Sequence, residues 1–346
     1  MTPVVQAMAG AEHGGAEAFF ERLAIALNRA GLPQTLVIRR DGARSARLRD
    51  AGLAVTELPF GGRLDLVTRR RFAAVVAKAR PRVVLTWMSR ATRLCPTPSP
   101  STGPFIHAAR LGGYYDLKHY RHCRHLIGNT RDLCDWMERS GWPAERVHYL
   151  PNFAADDRAP PVARADFATP ADAPLILALG RLHPNKAFDV LIKALAAVPG
   201  AHAWIAGEGP LAAELERLAA ERGVADRVRF LGWRTDVAAL SAAADLLVCP
   251  SRHEPLGNVV IEAWARDLPV IAAASQGPKQ LIEDGATGLL VPIDDDAALA
   301  GAINRLIADP VLARTIAAAG REAFERDFTE RVVVARYLDF FDRVAA

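Results

Sequence analysis

At 346 residues, 51% hydrophobic and 24% charged, the chain has room for two cores of about 150 residues each. A disordered tail, a disulfide scaffold and a membrane-spanning bundle are excluded. The formal net charge of +4 conceals two opposed halves: residues 1–151 hold 23 basic against 12 acidic residues, and the remainder holds 20 against 27. The first half therefore either faces an anionic partner, such as lipid headgroups or nucleic acid, or reflects arginine enrichment alone.

The opening MTPVVQAMAGAEHGG has no basic region ahead of a long apolar stretch, so no secretory signal and a cytoplasmic location are expected. The four cysteines, Cys95, Cys123, Cys134 and Cys249, have neither disulfide nor zinc-site spacing and read as small hydrophobes. Along the first half, apolar runs PVVQAM, QTLVIR, RVVLTWM, GPFIHA, RHLIGN and RVHYLP alternate with helical patterns AEAFFERLAIALNRAG, LVTRRRFAAVVAKARP and RDLCDWMERSG. A proline-rich, non-periodic stretch, NFAADDRAPPVARADFATPADAP, marks a linker. The second half repeats the alternation with LILALG, HAWIAGEG, RVRFLGW, DLLVCPS, LPVIAAA and GLLVP between FDVLIKALAAV, LAAELERLAAERG, DVAALSAAA, VVIEAWAR and ALAGAINRLIAD. Strands alternating with helices predict α/β domains with parallel sheets covered on both faces, here two doubly wound, Rossmann-like domains facing across a cleft. The predicted domains are 1–155 and 165–329, with a final helix over 330–346 that packs elsewhere, the first domain being the candidate.

Ligands of such sheets sit beyond the strands' carboxyl ends. The run LILALG ends at Gly180 and leads to Arg181 and Lys186 ahead of a helix, a setting for phosphate; two cations in a solvated loop are the ordinary alternative. Glu254 and Glu262 are eight apart and would not share a face of one straight helix. If the helix instead starts near Gly257, the two carboxylates bracket its amino end. The amides of Gly257, Asn258 and Val259 then point out of it. Carboxylates accept from hydroxyls and cations donate to phosphate oxygens, which together suit a nucleotide sugar.

The segments GRLHPNK at 180–186 and EPLGNVVIE at 254–262, with GGAE at 14–17, GEGP at 207–210, FLGW at 230–233 and LIEDGATGLLVP at 281–292, resemble the family 4 glycosyltransferases of GT-B fold. The resemblance implies a retaining, nucleotide-sugar-dependent transferase. Arg181 and Lys186 would hold the donor diphosphate in place of a metal, Glu262 the ribose, and Glu254 the transferred sugar near the reacting face. The backbone of Gly257, Asn258 and Val259 would support sugar or phosphate, and Gly14 and Gly15 would let backbone approach the donor. His107, at the end of GPFIHA, would contact the donor sugar. Trp233 and Arg234 would flank the base, unless Trp233 is core. No cofactor and no metal are expected, and a uridine diphosphate sugar is the expected substrate. Three features depart from the family: Ala187 where it has glycine, Pro255 after the first glutamate, and QGPKQ at 276–280. Asp294, Asp295 and Asp296 read as a helix cap rather than a metal motif.

Three arginine-rich clusters stand in the first half: Arg39, Arg40, Arg44, Arg47 and Arg49; Arg63, Arg69, Arg70 and Arg71; and KHYRHCRH at 118–125 with Arg121 and Arg124. Arg69, Arg70, Arg71, Arg121 and Arg124 are the candidates for an anionic membrane surface, with a solvated face as the alternative. The expected partners are a nucleotide sugar, a lipid-linked or saccharide acceptor of the lipopolysaccharide or polysaccharide type, and the inner face of the cytoplasmic membrane, with no nucleic acid. A nucleotide-sugar epimerase and a noncatalytic donor-binding or membrane-docking protein are the competing readings.

Overall fold

The structure is a computed structural model that describes residues 1–12, 14–62 and 65–346. In chain order the strands are β1 Val4–Met8, β2 Gln34–Arg39, β3 Ala54–Leu58, β4 Val83–Trp87, β5 Ile106–Leu111, β6 His125–Gly128, β7 Val147–Tyr149, β8 Leu175–Leu179, β9 His202–Ala206, β10 Val228–Gly232, β11 Leu246–Cys249, β12 Val270–Ala273 and β13 Leu289–Val291. The helices are α1 Gly15–Arg29, α2 Gly42–Asp50, α3 Leu66–Ala79, α4 Met88–Leu94, α5 Arg131–Arg139, α6 Phe188–Leu195, α7 Ala212–Glu221, α8 Val237–Ala243, α9 Asn258–Ala265, α10 Gln276–Leu281, α11 Asp296–Ala308, α12 Pro310–Asp327 and α13 Glu330–Ala345. Contacts divide the chain into unit 1, Met1–Asn152 with Glu330–Ala346, and unit 2, Phe153–Thr329.

Unit 1 carries a seven-stranded sheet in the order β3-β2-β1-β4-β5-β6-β7 and unit 2 a six-stranded one, β10-β9-β8-β11-β12-β13. All pairings within both sheets are parallel. This is the doubly wound architecture that alternating apolar runs and helices dictate. Central strands are buried along their length because helices cover both faces, so VVQAM, VVLTW and HAWIA are mostly apolar, with buried Gln6, Thr86 and His202 as the polar exceptions.

Helix α13 belongs to unit 1. Its Tyr337 Oη accepts from Arg110 Nε at 2.8 Å, Asp342 accepts from the Thr2 hydroxyl at 2.7 Å, and Phe340 packs edge-on against His148. Arg110, only 2% exposed, also donates to Asn152 at 2.6 Å and lies over the rings of Phe19 and Trp87. A buried guanidinium survives there because each of its faces has a partner. The proline-rich stretch runs along unit 2: Arg321 grips Asp156 at 2.6 and 2.8 Å, and Arg266 holds Asp157 at 2.8 Å. No helix of the described residues is long and apolar enough to cross a membrane.

Candidate functional site

In unit 2 the strand order reverses between β8 and β11, and at such a switch point the loops beyond the carboxyl ends diverge to leave a crevice. Lys186, in the turn after β8, and Glu254, in the loop after β11, meet there. The Lys186 ammonium donates to Glu254 Oε2. Glu254 is 7% exposed, and its Oε1 accepts from the Gly257 amide at 3.3 Å, so the carboxylate links the lysine to the start of α9. Arg181, the second residue beyond β8, is exposed and forms no ion pair among the described residues. One cation is therefore fixed against a carboxylate, and a second stands open at the same strand end.

Glycines make the approach possible. A Cβ on Gly207 would lie 1.9 Å from the Gly180 carbonyl oxygen, and one on Gly209 would lie 2.3 Å from that of Leu182. The GRL and GEGP loops thus touch backbone to backbone, joined by Leu182 N–H to Glu208 O at 2.9 Å. Gly257 has φ 71° and caps α9. A Cβ on Gly277 would fall 2.5 Å from both the Gly257 nitrogen and the Leu256 carbonyl carbon. The departure QGPKQ therefore retains the one residue that lets α10 press on the Glu254 loop, and the Gly277 amide donates to the Glu254 carbonyl at 2.7 Å. Ala187 adopts φ 52°, a left-handed conformation that costs an L-residue about 1 kcal/mol.

Sequence reasoning missed Arg252. It donates to the Pro184 carbonyl at 2.9 Å, forks onto Asp189 at 2.8 and 2.7 Å, and reaches Asp294 at 2.5 Å. It braces the turn that carries Lys186. Its place two residues before Glu254 was the available signal, but its partners are remote in sequence. Asn258 and Val259 open α9, and Glu262 stands half-buried in its second turn. Trp233 is 75% exposed, which rules out a core role; its amide donates to Glu208 at 3.3 Å. Arg234 is forked onto Asp236 at 2.9 and 2.6 Å. Asp295 caps α11 by accepting from Ala298 N–H at 2.8 Å, and the described residues contain no group of three His, Cys, Asp or Glu that could hold a metal.

In unit 1, Gly14 and Gly15 are exposed where α1 begins, and Glu17 reaches back to accept from the Ala11 amide at 2.8 Å. His107 requires correction. The run GPFIHA supplies only Ile106, His107 and Ala108 of β5, so His107 is the strand's second residue, at its amino end. It is 5% exposed, and a ring nitrogen lies 2.9 Å from Thr86 Oγ1. Burial pushes its imidazole down to about 4. A neutral histidine held inside a sheet, four residues short of the carboxyl edge, is packed as part of the core, which argues against the donor contact that the resemblance implies.

The arginine clusters also separate. Arg69, Arg70 and Arg71 are exposed on α3, beyond the carboxyl end of β3, beside Leu66 and Val67 at 68% and 53% exposure. Arg121 and Arg124 precede β6, at the opposite edge of the same parallel sheet, so the five cannot form one surface. Arg63 lies outside the described residues. Of the first cluster, Arg44 is buried against Asp41, Arg47 forks onto Glu21 at 2.6 and 2.9 Å, and Arg49 reaches Glu57 at 3.5 Å. Arg39 and Arg40 alone remain unpaired among the described residues.

Residues 173–309 match the model of "Glycosyl transferases group 1" and residues 14–152 that of "Glycosyl transferase 4-like domain". The lipopolysaccharide core biosynthesis glycosyltransferase LpsD of Rhizobium meliloti (strain 1021) is 36% identical, over 96% of each chain. Among solved structures, a glycosyltransferase from Rickettsia africae ESF-5 superposes with a TM-score of 0.87 at 17% identity, covering 99% of this chain and 98% of that one. Anabaena Alr3699/HepE in complex with UDP superposes at 0.84 and 22% identity, covering 99% and 100%. The fold is therefore GT-B, and the chain belongs to the group 1, family 4-like glycosyltransferases.

Proposed function

We propose that this glycosyltransferase moves a sugar, with retention of anomeric configuration, from a nucleoside diphosphate sugar to a lipid-linked or cell-surface saccharide of the lipopolysaccharide core type. The observation that carries the reading is the Lys186–Glu254 pair at the β8/β11 switch point with Arg181 open beside it. Arg181 and Lys186 neutralise the diphosphate as its bond to the anomeric carbon breaks, with no metal required. The acceptor hydroxyl forms the new bond to that carbon, and its proton leaves with the diphosphate. Glu254 accepts from the sugar's hydroxyls, Glu262 from the ribose, and the amides of Gly257, Asn258 and Val259 face sugar or phosphate. Gly14 and Gly15, exposed where α1 begins, leave room for backbone to approach a phosphate or sugar, and the exposed Trp233 with Arg234 flanks the base.

UDP is the preferred carrier, because Anabaena Alr3699/HepE is solved with UDP. The acceptor class follows the name of the relative LpsD. Membrane docking falls to Arg69, Arg70 and Arg71 with the exposed Leu66 and Val67, a basic and apolar mixture suited to an anionic leaflet. A thermal-shift screen against UDP, GDP, ADP and their sugar conjugates tests the donor. A shift with one base, equivalent to about 2.7 kcal/mol at a hundredfold excess over Kd and lost in Lys186→Ala, supports the reading; no shift with any nucleotide contradicts it. Proton NMR of the product anomer tests retention.

A further inference from the structure

A basic concavity lies in unit 1, next to the loop that carries Gly14 and Gly15 but not including them. A cavity of about 510 Å³ opens at the carboxyl edge of the sheet, where β1 and β2 end, bounded by Gly10, Ala11, Glu12, Arg39, Arg40, Asp41, Gly42, Ala43 and Arg44, three arginines against the two acidic residues Glu12 and Asp41. Its size falls within the ~300–1,000 Å³ of small-molecule sites. Its base is built rather than incidental. Arg44, 4% exposed, gives Nη2 to the carbonyls of Ala11 and Glu12 at 3.2 and 2.8 Å and pairs with Asp41 at 2.8 Å, while its Nε makes no hydrogen bond. Asp41 is committed to Arg44 and to capping α2, where it accepts from the Arg44 amide at 3.0 Å. It does not neutralise the other two arginines.

Arg39 and Arg40 are exposed, and their side chains have no partner among the described residues. They line the same cavity as Gly42, the first residue of α2, whose opening amides have no intrahelical acceptor. Two guanidinium forks beside a helix start are chemistry for an oxyanion of phosphate or carboxylate type. We propose that this cavity binds an anionic substituent, phosphate or carboxylate, on the saccharide acceptor. The inference rests on the acceptor reading above and adds the chemical class by which unit 1 selects its substrate.

The test is titration calorimetry of the full chain with glucose 6-phosphate, inorganic phosphate and glucose. The parent binds glucose 6-phosphate more tightly than inorganic phosphate and does not bind glucose. Arg39→Gln/Arg40→Gln weakens the sugar phosphate at least tenfold, and the Lys/Lys pair, which keeps charge but loses the fork, falls between. Arg217→Gln/Arg222→Gln, which removes the same charge from α7 and its C-cap, binds as the parent does. Unchanged affinity in Arg39→Gln/Arg40→Gln overturns the proposal, as does equal affinity for inorganic phosphate and the sugar phosphate. So does loss of binding to phosphatidylglycerol vesicles, but not to glucose 6-phosphate, in that variant, which would assign the arginines to headgroups. A UDP thermal shift on the same samples separates the two readings. Its absence beside intact sugar phosphate binding removes the donor assignment and leaves the cavity standing; its presence beside a failed titration does the reverse.

Discussion

The two units share an architecture and differ in how their functional residues are written into the chain. In unit 2 the candidate residues lie in short contiguous motifs, each at a strand's carboxyl end, and glycines without room for a Cβ lock those ends together. In unit 1 the basic residues are spread over α2, α3 and the approach to β6, and spatial neighbours decide which remain available. A site made of strand ends is thus local in sequence, whereas a recognition surface depends on which charges the fold neutralises.

The largest expected effects break unit 2. Lys186→Ala removes a cation from the developing diphosphate and lowers kcat by about 10²–10³-fold, and Glu254→Ala, which loses the acceptor for the sugar's hydroxyls and the partner of Lys186, lowers it comparably, both measured by nucleotide release with acceptor. Glu254→Gln keeps an acceptor for the Gly257 amide and so separates loss of charge from loss of fold, which circular dichroism follows. Gly207→Ala drives a methyl into the Gly180 carbonyl and costs about 3 kcal/mol in urea unfolding, the upper range for overpacking. Arg252→Ala frees the Pro184 turn and raises the UDP Kd about tenfold, with a smaller change in kcat, because it acts through Lys186.

Unit 1 responds differently. Because burial holds His107 at about 4 against an ordinary 6.5, the unfolded chain binds more protons between these values. Stability from this group is complete above pH 6.5 and falls as pH drops toward 4, by about 1.4 kcal/mol for each pH unit crossed between the two values. His148, also lowered to about 4 by burial, His125 and Arg343, works in the same direction. His107→Gln flattens the acid limb of the unfolding free energy while the UDP shift persists; loss of that shift would return His107 to the donor site. On the exposed face of α3, Arg69→Gln/Arg70→Gln/Arg71→Gln weakens phosphatidylglycerol vesicle binding by about 1 kcal/mol per arginine, and Arg121→Gln/Arg124→Gln leaves it unchanged. Equal losses in both would contradict the separation of the clusters across the sheet.

What was legible follows from the same contrast. GRLHPNK and EPLGNVVIE placed Lys186, Glu254 and the start of α9 correctly because strand end, turn and helix start are each local signals. Strand β3 was missed because AVTEL is a half-exposed edge without a buried run, and α2 because GARSARLRD lacks an apolar stripe. His107 was misplaced because the buried Arg110 interrupts the apolar pattern of β5, so the strand reads as ending where it begins. Only its partners Tyr337 and Asn152, far along the chain, explain an arginine there. Arg39 and Arg40 could not be told from Arg44 and Arg47 by composition, since the carboxylates that neutralise the latter come from α1 and the loop before α2.

The central claim is that the cation pair at the β8/β11 switch point holds the donor's diphosphate. Titration of UDP into the parent and into Lys186→Ala, with folding verified for both, tests it most directly. A rise in Kd of about thirtyfold or more, the ~2 kcal/mol of a charge-assisted contact, is the predicted result. Equal Kd values within twofold would place the nucleotide elsewhere and contradict the account.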